Sequence, residues 1–409
     1  MEGARALCAA PLPLADAAPA KRLRILYHHR VVSRDGQAVH VDDMIAALRA
    51  LGHEVAIAAP AVAGGGQGAD APRWIAWLKR ALPAALYETL ELGYNLPAFA
   101  RLYRQWRAFA PDIIYERYNL NLLAGTWLAT LTGTPLLLEV NAPLAQERAS
   151  FGGLRLHPLA WRIENWVWRS ADRVLPVSGP LASLCLAAGV AGDRIAVIPN
   201  AADPLVHDGI EGEAAKRALG LDGKIVLGFS GFMREWHGLD RIIEALAQPD
   251  LPPAVQFLLL GDGPARAAME QRAAALGIAD RVTFAGIVAR HELGRHVAAF
   301  DIALQPKAVA YASPLKLFDY MAAGKAIVAP DQPNIRELLV NGRSALLFDP
   351  QRQAAMLDAV LRLAQDAGLR RRLGAGARRS LDERGFTWRE NARRVAALGA
   401  GLTADGAGK

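Results

Sequence analysis

The chain has 409 residues, 52% hydrophobic and 21% charged, with 47 Lys plus Arg against 40 Asp plus Glu for a net charge of +7. That balance belongs to a folded globular protein with chain enough for two or three full cores, and it excludes disordered and collagen-like chains. Two cysteines, Cys8 and Cys185, cannot make a disulfide framework, and no C-x-x-C pair offers a structural zinc site, which points to a reducing compartment.

Residues 1–20 read as a loose extension rather than a signal peptide, because Glu2 weakens the basic start and Asp16 and three prolines break the apolar run. No stretch of 18 apolar residues runs uninterrupted, so no spanning helix is expected. From there the chain alternates short β-branched or leucine-rich runs with amphipathic stretches, the pattern of βα units around a parallel sheet. Strands are predicted at 23–27, 54–58, 112–115, 135–140, 173–177 and 195–198. After the first comes a glycine-containing loop, then a helix with Val41, Ile45 and Leu48 on one face and Gly52 as its stop. A second series of strands is predicted at 225–229, 255–260, 281–284, 302–304, 326–328 and 345–348. Between the two series, the polar segment 201–222, broken by Pro204, Gly209 and Gly212, reads as a linker. The expected domains are therefore 21–200 and 223–385, each a doubly wound parallel sheet. Their strand ends would face one central cleft, the default ligand site of such sheets. The GGGQG run at 64–68 is read as a surface loop, since no helix follows in the register a phosphate loop needs.

The segment from Tyr311 to Pro350 is the most informative. Ser313 and Pro314 read as an N-cap and first-turn pair; Leu315, Leu317, Phe318 and Met321 follow as an apolar face, and Gly324 stops the helix. Free N–H groups at that start, with Lys316 in the first turn, suit a diphosphate, and Asp319 one turn on suits ribose hydroxyls. A capped helix with solvated Lys and Asp fits the same pattern.

SPLKLFDYMAAGKAIVAP resembles the donor-binding helix of glycosyltransferase family 4, retaining enzymes of the two-domain GT-B fold. Further matches follow in order along nearly the whole chain: DGQAVH, LGHEV, WRSADRVLPVS, RIAVIPNAAD, GFMREWHGLDRIIEAL, LLLGDGP and VTFAGIV. The resemblance implies two Rossmann-like domains, a nucleotide-diphosphate sugar as donor, no resident cofactor and no metal. It also implies that residues 386–409 form a helix crossing back to the first domain.

Two places depart from the family's pattern. Where many members carry paired glutamates, this chain has Tyr311 and Asp319, so the resemblance leaves ribose binding to Asp319 with a shorter reach. Where many members have an Arg and a Lys after the second-domain glycine, it has Phe232 and His237, and it resembles a subgroup with a Trp-His-Gly turn. Arg234 then supplies the permanent charge and His237 a hydrogen-bond donor; an Arg234–Glu235 surface pair is the plainer alternative. LLLGDGPA has only the first two glycines of a dinucleotide fingerprint, so a nicotinamide cofactor is rejected. In the resembled family the Gly261 loop closes the donor pocket, and backbone around Gly286 and Ile287 meets the base.

In the first domain, Gly36 lets backbone approach the donor phosphates. His40 either faces the cleft or caps its helix. Glu139 and Asn141 end a strand, with Asn141 near a position where relatives place a sugar-contacting His. The expected catalytic residues are thus Asn141, Arg234 and Lys316, which stabilise charge on the leaving diphosphate and orient the sugar. Between residues 71 and 110, eight aromatics and a local charge of +4 accompany the stripe Phe99, Leu102, Tyr103 and Trp106. It either packs on its own domain or lies on anionic lipid near a polyprenyl-linked acceptor. Nucleic acid is not expected, because the aromatics follow helical faces. The sequence thus leads to a retaining, metal-independent transferase of hexose-type sugars to a glycan or lipid-linked acceptor in bacterial polysaccharide synthesis, cytoplasmic or at the inner membrane face. A nucleotide-sugar epimerase and an inactive sugar-nucleotide-binding scaffold are the alternatives.

Overall fold

A computed structural model describes residues 21–31, 36–60, 84–150, 154–352 and 354–406. The N-terminal extension, the glycine run at 64–68 and the first part of the aromatic segment lie outside the described residues. Two compact units are present: one holds the described residues up to Pro199 together with those from Trp388 on, the other Asn200–Thr387.

The first unit runs β1 (Arg24–His28), α1 (Gly36–Ala50), β2 (Glu54–Ala58), α2 (Ala84–Gly93), α3 (Asn95–Phe109), β3 (Ile113–Arg117) and α4 (Ala124–Thr132). It continues with β4 (Leu136–Val140), α5 (Leu144–Ser150), α6 (His157–Ser170), β5 (Arg173–Pro176) and α7 (Gly179–Ala187). All its strand pairs are parallel, in the order β2-β1-β3-β4-β5. The second unit runs α8 (Gly212–Ala218), β6 (Ile225–Ser230), α9 (Asp240–Leu246), β7 (Val255–Leu260), α10 (Arg266–Ala275), β8 (Val282–Gly286) and α11 (Arg290–Ala298). It continues with β9 (Ile302–Leu304), α12 (Leu315–Ala322), β10 (Ala326–Pro330), α13 (Pro333–Arg336), β11 (Ala345–Phe348), α14 (Ala355–Gln365) and α15 (Ala367–Arg384). Its six strands are also parallel, ordered β11-β10-β9-β6-β7-β8.

Both faces of this second sheet are covered, which is why its strands read as unbroken apolar runs. In β7, Val255, Phe257 and Leu259 enter one core with Ile242, Ile243 and Leu246 of α9 and Val360 and Leu363 of α14. Leu258 and Leu260 enter the opposite core with Leu317, Phe318 and Met321 of α12 and Ala377 and Leu381 of α15.

Eleven of the twelve predicted strands form. The segment 195–198 does not: it makes one bridge, Val174 to Ile195, and donates two backbone hydrogen bonds to β5 before Pro199, which has no N–H to extend a ladder. The expected linker at 201–222 is a packed part of the second unit. Ala202 bridges Thr387, and α8 buries Ala215 and the Lys216 stem, whose ammonium reaches Asp301 at 2.8 Å and the Lys224 carbonyl at 3.1 Å. Pro204 opens a short 3-10 turn, Gly209 ends the turn that follows, and Gly212 begins α8.

The last helix, α16 (Trp388–Gly406), belongs to the first unit and packs on α1. Gly399 lets it also lie close against the sheet, because a Cβ there would lie 2.8 Å from Ile113 of β3 and 3.3 Å from Leu23, just before β1. On α3, Leu102 is buried, Phe99 meets the Trp127 ring edge-on at 6.3 Å, and the Trp106 indole donates to Thr134 at 2.9 Å. The stripe therefore packs on its own domain, on α4.

Candidate functional site

In the second unit, successive strands β6, β7 and β8 proceed to one side and β9, β10 and β11 to the other. The switch point lies between β6 and β9, where the loops leaving the carboxyl ends part and open a crevice. A cavity of about 390 Å³ lies at the carboxyl ends of β6, β9, β10 and β11, lined among others by Trp236, His237 and Arg241 after β6, Lys307 after β9, Gln332 after β10 and Arg352 after β11.

Three glycines bring the β6 and β7 loops into contact. A Cβ on Gly261 (φ +117°) would run into the Gly231 carbonyl, and one on Gly263 (φ +155°) into the Met233 backbone. Met233 N–H donates to the Asp262 carbonyl at 2.8 Å and Ala265 N–H to the Met233 carbonyl at 3.2 Å, so the loops hold each other. Gly261 N–H in turn donates to the Gly286 carbonyl at 2.7 Å; Gly286 is left-handed at φ +71° and turns the chain so that Ile287 stands 84% exposed. Gly261, Gly286 and Ile287 thus form one backbone-linked edge of the crevice.

Two cations lie near the carboxyl end of β6 without counter-ions among the described residues. Lys316, the second residue of α12, sets its ammonium 3.8 Å from the Phe229 ring centroid and 3.0 Å from where a Gly231 Cβ would be. Among the described residues it makes no ion pair, and burial pushes its pKa down to about 7. Arg234 is exposed, stacks its guanidinium 5.1 Å over Phe232 and forms no ion pair with Glu235 among the described residues. His237 is buried between Phe229, edge-on with ring centroids 5.2 Å apart, and Trp236, with centroids 3.9 Å apart. Its Nδ1 accepts from the Arg234 N–H at 3.3 Å, so the neutral ring carries its proton on Nε2, as a donor. Burial, then the charges of Lys316 and Arg234, push its pKa down to about 4. Such a grouping of donors can hold an anion.

At α12 one expectation is corrected. Pro314 occupies the N-cap, while the Ser313 hydroxyl accepts from the Asn200 N–H at 3.1 Å and its carbonyl from Asn200 Nδ2 at 2.6 Å. Ser313 is committed to holding the 200-segment because a proline after it already fixes the helix entry. Leu315 begins the helix half-buried, and Lys316 follows. Asp319 lies one turn on, with one carboxylate oxygen 3.3 Å from Nε2 of His207.

In the first unit side chains from α1, from β3 and from just after β4 converge on Glu139. It is 3% exposed and accepts from His40 Nε2 at 2.9 Å, Tyr115 hydroxyl at 2.6 Å, Asn141 Nδ2 at 2.5 Å and Arg117. Burial raises its pKa, but the charges of His40 and Arg117 and the hydrogen bonds from His40 and Tyr115 outweigh this and hold the carboxyl well below its usual range. His40 also meets the Trp388 ring edge-on at 4.7 Å, so it is neither a cap nor a free side chain. With its Nδ2 committed, Asn141 presents Oδ1 as an acceptor. On the other face of β3, Glu116 takes a 2.5 Å hydrogen bond from His28 and fills the space that a Cβ on Gly125 would need. Gly36 begins α1, one turn before His40.

Sequence reasoning missed Tyr115, Arg117, His207 and Trp236. Arg117 had a signal, a charged residue at the carboxyl end of an apolar strand; His207 had none, because its partner is 112 positions away. Among the described residues no group of three or more His, Cys, Asp or Glu converges as metal ligands, and no helix is long and apolar enough to cross a membrane.

Residues 34–204 match the family model described as Glycosyltransferase Family 4, and residues 224–366 that of Glycosyl transferases group 1. A 2-deoxystreptamine glucosyltransferase of Streptomyces kanamyceticus is 29% identical, over 67% of this chain and 73% of its own. A D-inositol 3-phosphate glycosyltransferase of Geodermatophilus obscurus is 30% identical, over 70% and 68% respectively. Among solved structures, Anabaena HepE in complex with UDP and glucose shares the fold with a TM-score of 0.70 at 18% identity, over 92% of this chain and 99% of that one.

Proposed function

Given that this chain belongs to glycosyltransferase family 4 and is a glycosyltransferase of GT-B type, we propose that it moves a hexose-type sugar from a nucleotide-diphosphate donor to a glycan or lipid-linked acceptor with retention at the anomeric carbon. The observation that carries the donor reading is the set of cations, Lys316 and Arg234, without ion-pair partners among the described residues, with the Nε2 donor of His237, near the sheet's switch point. These groups stabilise the charge that grows on the diphosphate as its bond to the sugar breaks. The acceptor oxygen bonds to the same face of the anomeric carbon, and its proton passes to the departing phosphate oxygen, so neither a metal nor a protein nucleophile is required. In the first unit, Asn141 offers an acceptor oxygen to a sugar hydroxyl, held in place by Glu139.

Asp319 serves the ribose, and the Gly286–Ile287 backbone the base. A thermal-shift screen against UDP-, GDP-, ADP- and TDP-sugars, followed by proton NMR of the product's anomeric coupling, tests this reading; no stabilisation by any donor, or an inverted product, overturns it. Membrane docking in bacterial polysaccharide synthesis belongs to the same proposal. Its support is the exposure of Leu86, Leu90, Leu159, Trp161 and Trp166 beside exposed Arg155, Arg162 and Arg169. Flotation with anionic but not neutral vesicles is the expected result, and absence from both would defeat it.

A further inference from the structure

We propose that His207 is a positioning residue for donor recognition: it fixes one oxygen of Asp319 so that the other is presented to the ribose hydroxyls. The inference rests on the reading of Asp319 as the ribose-binding carboxylate. An aspartate projecting from a helix can swing about two side-chain bonds, and a carboxylate that swings loses most of the advantage of a defined ribose contact.

Three observations restrain it here. The His207 side chain is 1% exposed and the Asp319 side chain 27%, with Nε2 to Oδ1 at 3.3 Å, so the contact has one buried and one open partner. Nδ1 of His207 is buried and has no hydrogen-bond partner. A carboxylate only accepts, so the proton sits on Nε2, and a bare ring nitrogen at Nδ1 is tolerated where an unpaired N–H would not be. Asp319 Oδ2 has no partner among the described residues and is left for a ligand.

The backbone that carries His207 is held at both ends. Asp203 caps the turn Pro204–Val206 through the Leu205 N–H at 3.1 Å, and His207 N–H closes it on the Pro204 carbonyl at 2.9 Å. The next residue, Asp208, pairs with Arg378 at 2.7 Å, and Arg378 also donates to the Ala322 carbonyl at the end of α12 at 2.9 Å. Gly294 on α11 lacks the Cβ that would strike the Val206 carbonyl, so the turn sits tightly on that helix. The imidazole is therefore tied to the same helix end as the carboxylate it touches.

A histidine that merely filled space would not affect ribose discrimination, and that separates the two roles. Titration calorimetry would compare UDP, GDP and ADP with their 2′-deoxy counterparts. The wild type is expected to prefer the ribonucleotide about tenfold, and Asp319→Ala to lose that preference. His207→Phe should reduce the preference roughly threefold to fivefold while leaving affinity for the 2′-deoxy form unchanged, and His207→Gln, which keeps a donor, should restore it. His207→Leu gives the same comparison with a smaller side chain if Phe disturbs folding. An unchanged preference in a normally melting His207→Phe or His207→Leu protein overturns the inference. Equal preference in wild type and Asp319→Ala overturns the ribose reading itself.

Discussion

Removing the Lys316 ammonium by Lys316→Ala isolates the charge that the donor site depends on. A phosphate oxygen about 3 Å from that ammonium, at an effective dielectric of about 20, gains roughly 5 kcal/mol of Coulomb energy. Part of this is offset by stripping water from the two ions, but Lys316 already lies against Phe229 with little water left to lose, as its lowered pKa near 7 records. A net loss of about 3 kcal/mol, or roughly 100-fold in kcat/KM, is expected, within the range for loss of one donor to a developing anion. The same burial gives a proton signature. In the free protein the lysine is largely neutral at pH 8, and a bound diphosphate raises its pKa, so UDP binding at pH 8 should take up a proton. Calorimetry in two buffers of different ionisation enthalpy would show that uptake in the wild type and not in Lys316→Met. A normally folded Lys316→Ala protein within threefold of wild-type kcat/KM, or identical proton uptake in Lys316→Met, would refute the reasoning.

Gly263→Ala should cost about 2–4 kcal/mol, because the new Cβ meets the Met233 backbone at φ +155°, whereas Gly223→Ala, left-handed but with nothing within 4 Å, should cost about 1 kcal/mol; urea denaturation would distinguish them. Glu139→Gln leaves Arg117 without its counter-charge and should destabilise the first unit by about 3–5 kcal/mol. The carboxyl's lowered pKa makes its stabilisation full above the unfolded value near 4.3 and lost as pH falls, so acid melts of the variant should show a weaker decline below pH 4. His237 has a folded pKa of about 4 against about 6.5 unfolded, so the unfolded chain holds the extra proton between those values and stability rises with pH across that window. Melting curves of His237→Asn should lack about 2 kcal/mol of that rise, while an equal rise in variant and wild type would contradict the burial argument.

The βα alternation, the two-sheet plan and eleven strands were legible in the sequence because apolar runs of strand length are local signals. The helix carrying Lys316 and Asp319 was legible for the same reason: proline entry, apolar face and glycine stop lie within a dozen residues. Local signals also misled where their chemistry had two uses. Pro204, Gly209 and Gly212 punctuate a packed segment of short turns and a helix as readily as a linker, and Ser313 bonds Asn200 rather than its own helix. The absence of ion pairs at Lys316 and Arg234 among the described residues, the four donors on Glu139 and the His207–Asp319 contact were decided only by tertiary structure. Sequence determined which residues carry charge and which strands carry them to a sheet edge. Whether a charge meets a partner, an aromatic ring or open solvent depends on residues a hundred positions away, and that sets its pKa and its use.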